Sequence, residues 1–270
     1  MKSIFKTGFI QLRHMAAACV LVLLLALPMN YSVGAANLCV EPSGAGGCHT
    51  TIQAAINAAN AGDTIHISAG TYNENVVVNK NNLTLTGALA LNPNDTPDDT
   101  IHTIINGAAP AVITSPVISI PNGVTGVTIQ NLRVQGFASN SGIYGAANNN
   151  NLTIDSVHVY SNNTNNATNG GGIYMNGPVS NVSINNVDSQ FNRARGIVIW
   201  NGFKQNISIT NSYVANNNCC GIELQDGTAS GVTLSGNTVV NNFDSGMSAI
   251  GLTSGAGANV ISNNTVTDNG

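Results

Sequence analysis

The strongest constraint on this chain is a repeat. Aligning VTI (127–129), LTI (152–154), VSI (182–184), ISI (207–209) and VTL (232–234) puts Ile129, Ile154, Ile184, Ile209 and Leu234 at steps of 25, 30, 25 and 25, and Ile261 follows after 27. Eight residues past each anchor stand Asn162, Asn192, Asn217, Asn242 and Asn269, with Phe137 as the exception in the first aligned coil. A second segment opens at Gly142-Ile143, Gly172-Ile173, Gly196-Ile197 and Gly221-Ile222, with Ile250 as a looser fifth member. Short alternating strands, Gly or Asn corners and a period near 25 are what a stack of parallel strands requires. A β-sandwich would show hairpin turns and no fixed register. The recurring Asn predicts an inward ladder, because Asn accepts a left-handed backbone and its amide can bond the same amide one coil away. The 30-residue step is absorbed by the polar insert 161–171, which projects from a corner.

The expected architecture is therefore all-β: a right-handed parallel β-helix of about 25 residues per coil, with a short N-terminal capping helix. The helix is expected over 50–61 (TTIQAAINAANA), with Ile52, Ala55, Ile56 and Ala59 on one face and Thr50 or Thr51 as its cap. Residues 62–87 supply the first strands, and 92–100 (NPNDTPDDT) form a loop. The sequence stops in mid-repeat at Asp268-Asn269-Gly270, so the last coil is expected to be uncapped or truncated, covered by a partner or a further domain.

Residues 1–36 read as an export signal, with Lys2, Lys6 and Arg13 before an apolar run from Ala16 to Leu27 and small residues at Val33-Gly34-Ala35. That run is too short to span a membrane, and no later segment is apolar enough. The β-helix domain is then 37–270, secreted or on the cell surface. Beyond the signal only Lys80, Arg133, Arg193, Arg195 and Lys204 are basic, against 12 acidic residues, which leaves a formal charge of −7. Nucleic acid is not an expected partner of such a surface. Export makes a Cys39–Cys48 disulfide plausible across the EPSGAGG loop, whereas the adjacent Cys219 and Cys220 read more simply as separate thiols in a turn.

From the helix through the Gly-Ile and Asn coils, residues 50–270 resemble the pectin-lyase-like superfamily of right-handed β-helices. The resemblance implies a scaffold shared by lyases, hydrolases, esterases, epimerases and surface proteins. Gly70, Tyr72 and Glu74 match the G-x-Y-x-E segment of pectin methylesterases, but the Q-D, D-F-I-F-G and G-R-P-W motifs are absent. Asp98-Asp99 is the sole Asp pair and lacks the other polygalacturonase motifs, while Tyr144-Gly145 continues as Ala-Ala rather than as an epimerase signature. Segment 70–74 then reads as strand and turn architecture.

Register also places side chains in columns about 4.8 Å apart. Four residues past the anchor the outward column runs Arg133, His158, Asp188, Tyr213, Thr238, Thr265; one residue past, it runs Gln130, Asp155, Asn185, Thr210, Ser235, Ser262. Arg133, His158, Asp155 and Asp188 gather on one face, the candidate catalytic set. The resemblance implies that a lyase would use an Arg or Lys as base and acidic groups to hold calcium against a substrate carboxylate. The plainer alternative is a solvated face whose charges screen one another, and it is favoured. Tyr144, Tyr174, Trp200 and Glu223, outward on the Gly-Ile strand, are candidate substrate-binding residues, because aromatic rings can stack on sugars. His49, His66 and His102 have no metal-ligand spacing, so no metal site is assigned and no cofactor is expected, apart from Ca2+ in the lyase case. Two functions remain open: a non-catalytic, carbohydrate-binding or structural β-helix with a polysaccharide or surface glycan as partner, which is favoured, and a lyase or related enzyme acting on acidic polysaccharide.

Overall fold

A left-handed backbone recurs at three positions of the repeat, and these set the corners. They lie three before the anchor (Asn151, Asn181, Asn206, Gly231), two after it (Asn131, Ser156, Asn186, Asn211, Gly236, Asn263) and seven after it (Ser161, Phe191, Asn216, Asn241, Asp268), with φ between 51° and 68°. Gly and Asn pay least for this conformation, which explains why they dominate two of the three positions. The computed structural model describes residues 34–107, 115–136, 141–162, 170–255 and 257–270. Within it the corners fold the chain into a right-handed parallel β-helix, as the repeat predicts. Most of the export segment, Phe137 and residues 163–169 of the insert lie outside the described residues.

The strands stack into three parallel sheets. The first holds Asn37–Val40, Thr64–Ile67, Thr84–Thr86, the opening half of Thr128–Gln135 and of Leu152–Tyr160, then Val179–Asn185, Lys204–Thr210, Thr233–Ser235 and Val260–Ser262. Here Ile129, Ile154, Ile184, Ile209, Leu234 and Ile261 pair in succession, and all but Ile261 are fully buried. The second sheet lies across the bend at the position two past the anchor. It holds Gly70–Asn73, Thr103–Asn106, the closing halves of the two long strands, Asp188–Gln190, Tyr213–Ala215, Thr238–Val240 and Thr265–Thr267. The third runs from Val76–Val77 and Ile118–Ile120 through Ser141–Gly145, Gly171–Asn176, Arg195–Trp200 and Ile222–Leu224 to Met247–Ala249. Its last member corrects the expectation for Ile250. Met247 stacks on Ile222, and Ile250 is exposed, because Gly246 repeats the glycine and shifts the register.

Those glycines face the core. A Cβ at Gly196 or Gly221 would lie 2.3 Å from a methyl of Val214 or Val239 on the opposing sheet, so no larger residue fits. The ladder is formed as expected: Nδ2 of Asn162, Asn192, Asn217 and Asn242 each donates to the next Oδ1, through Asn269, at 2.9–3.1 Å. Each amide oxygen from Asn192 onward also takes the backbone N–H of the preceding member. A second ladder, not foreseen, joins Asn237 to Asn264 at 3.0 Å. Lys204 was not foreseen inside either. It sits in the core between Val179 and Ala229, 1% exposed, with Nζ donating to the carbonyls of Gly202 and Asp226.

The helix is Ile52–Ala58, with Ile52, Ala55 and Ile56 buried and the Thr51 side chain accepting from Ala54 N. Glu74 explains the G-x-Y-x-E segment, since its two carboxylate oxygens accept from Ile52 N and Gln53 N at 2.8 and 3.0 Å. Those are orphan donors of the first helical turn, at the positive end of the helix dipole. Tyr72 is buried and donates to Ser68 O, and burial pushes its phenol up to about 12. Cys39 and Cys48 are bonded as expected, with Cα atoms 4.8 Å apart. The expectation of separate thiols at Cys219 and Cys220 is corrected: they form a vicinal disulfide in a turn bonded to the coils on both sides. Among the described residues no helix is long and apolar enough to cross a membrane.

Candidate functional site

The bend two residues past the anchor decides what faces outward on the second sheet. Leu132 and Val134, Val157 and Val159, and Val187 and Ser189 point into the core. The alternating residues Arg133 and Gln135, His158 and Tyr160, and Asp188 and Gln190 therefore point out. Cα pairing puts Arg133 beside His158 and His158 beside Asp188, the adjacency the repeat predicts.

Outward does not mean solvated. Residues 91–97 strap across this sheet, with Leu91 fully buried beneath them. His158 Nε2 donates to Asn92 O at 2.7 Å, and Asp188 Oδ2 accepts from Asn94 N at 2.7 Å. His158 and Asp188 are each only 4% exposed, so the picture of a solvated, mutually screening face is corrected for both. Within the strap Asp95 accepts from Asn92 N; just beyond it Asp98 accepts from the N–H and hydroxyl of Thr100, and Asp99 accepts from the Thr71 hydroxyl at 3.1 Å.

Between the strap and the outward strand residues lies a cleft of about 310 Å³, lined by Asn94, Asp95, Arg133, His158, Tyr160, Asp188 and Phe191 among others. A second hollow of about 180 Å³ continues past Arg133 and Tyr160 toward Asn106 and Gln135. The two share Arg133 and Tyr160. Because Asn106, Gln135, Tyr160 and Gln190 are successive register partners, the groove runs along the axis of the solenoid.

The electrostatics follow from burial. The Arg133 guanidinium lies 4.3 Å over the Tyr160 ring, and its Nε is buried, with no hydrogen-bond partner among the described residues. Burial lowers its pKa, while Tyr160 and Asp188 act in the other direction, and an arginine still stays charged. Burial also holds the His158 imidazole below its ordinary value, against the pull of nearby Asp188. The buried Asp188 Oδ1 has no hydrogen-bond partner among the described residues, which leaves one carboxylate oxygen uncompensated beside the cleft.

Asp155 stands apart from the other three. It precedes the left-handed Ser156, belongs to the first sheet, accepts from Asn185 Nδ2 at 2.7 Å and does not line the cleft. The residues that the columns did not single out are Tyr160 and Gln190 on the strands, Phe191 at the corner after them, and Asn94 and Asp95 on the strap. The first three could have been read from the same columns, at six and seven past the anchor.

On the third sheet, Tyr144 and Tyr174 stack with centroids 5.8 Å apart. Arg195 lies 4.5 Å over the Trp200 ring and bonds Glu223 Oε2 through Nε at 2.6 Å. Glu223 is 2% exposed and also accepts from Gln225, so both its oxygens are engaged. Tyr174 is buried as well. Tyr144, Tyr174, Trp200 and Glu223 thus share a face, but one packed mainly against itself.

Together these features define a class: a right-handed parallel β-helix with a strapped, arginine-bearing groove along one sheet. No protein-family model matches the chain, and no curated protein does. Among solved structures it is similar to a pectin methylesterase from Aspergillus niger, at 16% identity over 87% of this chain and 86% of that one, with a TM-score of 0.41. It is also similar to a pectin methylesterase in complex with a hexasaccharide (14% identity, 79% and 66% covered, TM-score 0.38). A PL6 family alginate lyase is a third likeness (12% identity, 90% and 41% covered, TM-score 0.35). Likenesses at these levels concern the fold and assign no chemistry to the groove.

Proposed function

We propose that this is an exported, non-catalytic β-helix that binds acidic saccharides in the groove at Arg133 and Tyr160. One observation carries the reading: the Arg133 guanidinium lies over the Tyr160 ring and lines both hollows of the groove, in a protein whose net charge is negative. A carboxylate is the group such a donor recognises best. The groove's direction suits a linear chain, with one sugar on each side of Arg133. Against catalysis, His158 and one oxygen of Asp188 are spent on holding the strap.

A lyase or related enzyme acting on acidic polysaccharide is the second reading, favoured by the unpartnered Asp188 Oδ1 beside Arg133 and His158. Calcium belongs to that reading alone. The test is calorimetric titration of the protein with trigalacturonate and with a neutral trisaccharide, with and without calcium, while following the ultraviolet absorbance of unsaturated uronate product. The proposal expects binding of the acidic ligand only, a loss of about ten- to a hundredfold in Arg133→Ala, and no absorbance. Product formation abolished in Arg133→Ala would establish the second reading instead; equal binding by the variant would remove the groove from either.

A further inference from the structure

Phe191 occupies a position that its own repeat reserves for other residues. Seven past the anchor the column reads Ser161, Phe191, Asn216, Asn241 and Asp268, all at φ 54–56°. For the four small polar members this left-handed conformation is tolerable, but a bulky ring there is strained. The ring is not repaid by core packing, since Phe191 is 47% exposed. It tilts against Tyr160 with centroids 5.1 Å apart and lines the larger end of the groove, beside Gln190 and the buried, half-unpartnered Asp188.

A strained residue that exposes an apolar ring at a groove points to a role in what the groove holds. The groove supplies the chemistry. Arg133 lies on one face of Tyr160 while Phe191 packs near the same ring, so a cation and an exposed aromatic surface flank one hollow. A uronate ring has matching parts, a carboxylate on its edge and an apolar C–H face.

Building on the saccharide-binding reading above, we propose that Phe191 is a binding residue. Its ring supports the face of a uronate sugar whose carboxylate is held by Arg133, and the strained backbone is what that placement costs. The substitution Phe191→Asn separates the two roles, because it restores the residue type found at Asn216 and Asn241. Thermal melting of the variant should rise by about 2–4 °C as the strain is relieved. Its affinity for trigalacturonate should fall about tenfold. Phe191→Tyr should change neither quantity appreciably.

Wild-type binding that is lost in Arg133→Ala but undiminished in Phe191→Asn would overturn this inference and leave the groove's function intact. A variant that melts lower than the wild type would overturn the strain argument directly. Failure of the wild-type protein to bind trigalacturonate would overturn both readings together.

Discussion

His158 shows at the scale of one residue how folding and chemistry compete for a side chain. Its imidazole is buried under the strap, faces Asp188, Arg133 and Asp95, and donates to a backbone carbonyl. Desolvation outweighs the nearby carboxylates, so the folded protein binds the proton less readily than the unfolded chain, whose histidine titrates near 6.5. Stability from this group is therefore complete above about pH 6.5 and declines as the pH falls through that value toward the lower folded-state pKa. The carboxylates Asp63 and Asp98 are held below their ordinary values and act at lower pH. Thermal melts at pH 7.5 and 5.5 should show a loss on acidification that shrinks in His158→Gln; identical losses would assign the effect elsewhere. The positions of His158, Arg133 and Asp188 were legible because a column is fixed by counting from Ile154. Their burial was not, because it is imposed by residues 91–97, which carry no periodicity and lie about sixty to ninety-five positions away in sequence.

At the scale of elements, the helix Ile52–Ala58 is tied to the solenoid by the Glu74 carboxylate and by the Gln53 side chain, which bonds the backbone N–H and carbonyl of Val77. Glu74 accepts from the first two helical N–H groups, while Asp63 accepts from Asn60 N just beyond the helix and from Ala36 N ahead of the first strand. Glu74→Ala leaves two donors without a partner and should cost about 0.5–2 kcal/mol. Amide exchange at residues 52–54 should quicken while the Asn ladder stays protected; unchanged exchange would mean that Thr51 alone holds the helix end. The helix was legible from its apolar face. The strand Asn37–Val40, which extends the first sheet beyond Thr64–Ile67, was not, because four residues following an apolar export segment carry no repeat signal. Lys204 was equally hidden. Its position is inward by register, and the carbonyls of Gly202 and Asp226, with the nearby Asp226 charge, make a cation acceptable there.

For the whole molecule, the repeat determined the architecture because each coil buries its apolar residues against the next, so a register read in one coil holds for its neighbours. Function was less legible for the same reason, since the columns supply two faces with aromatic and ionisable residues. On the third sheet Arg195 and Glu223 satisfy each other. On the second sheet the Arg133 guanidinium lies over the Tyr160 ring and lines an open groove. If the second face binds the ligand, a crystal of the protein soaked with trigalacturonate should show sugar density along the solenoid axis, with a carboxylate on Arg133 and a ring face on Phe191. Density over Tyr144 and Trp200 on the third sheet, with the Arg133 groove empty, would contradict it.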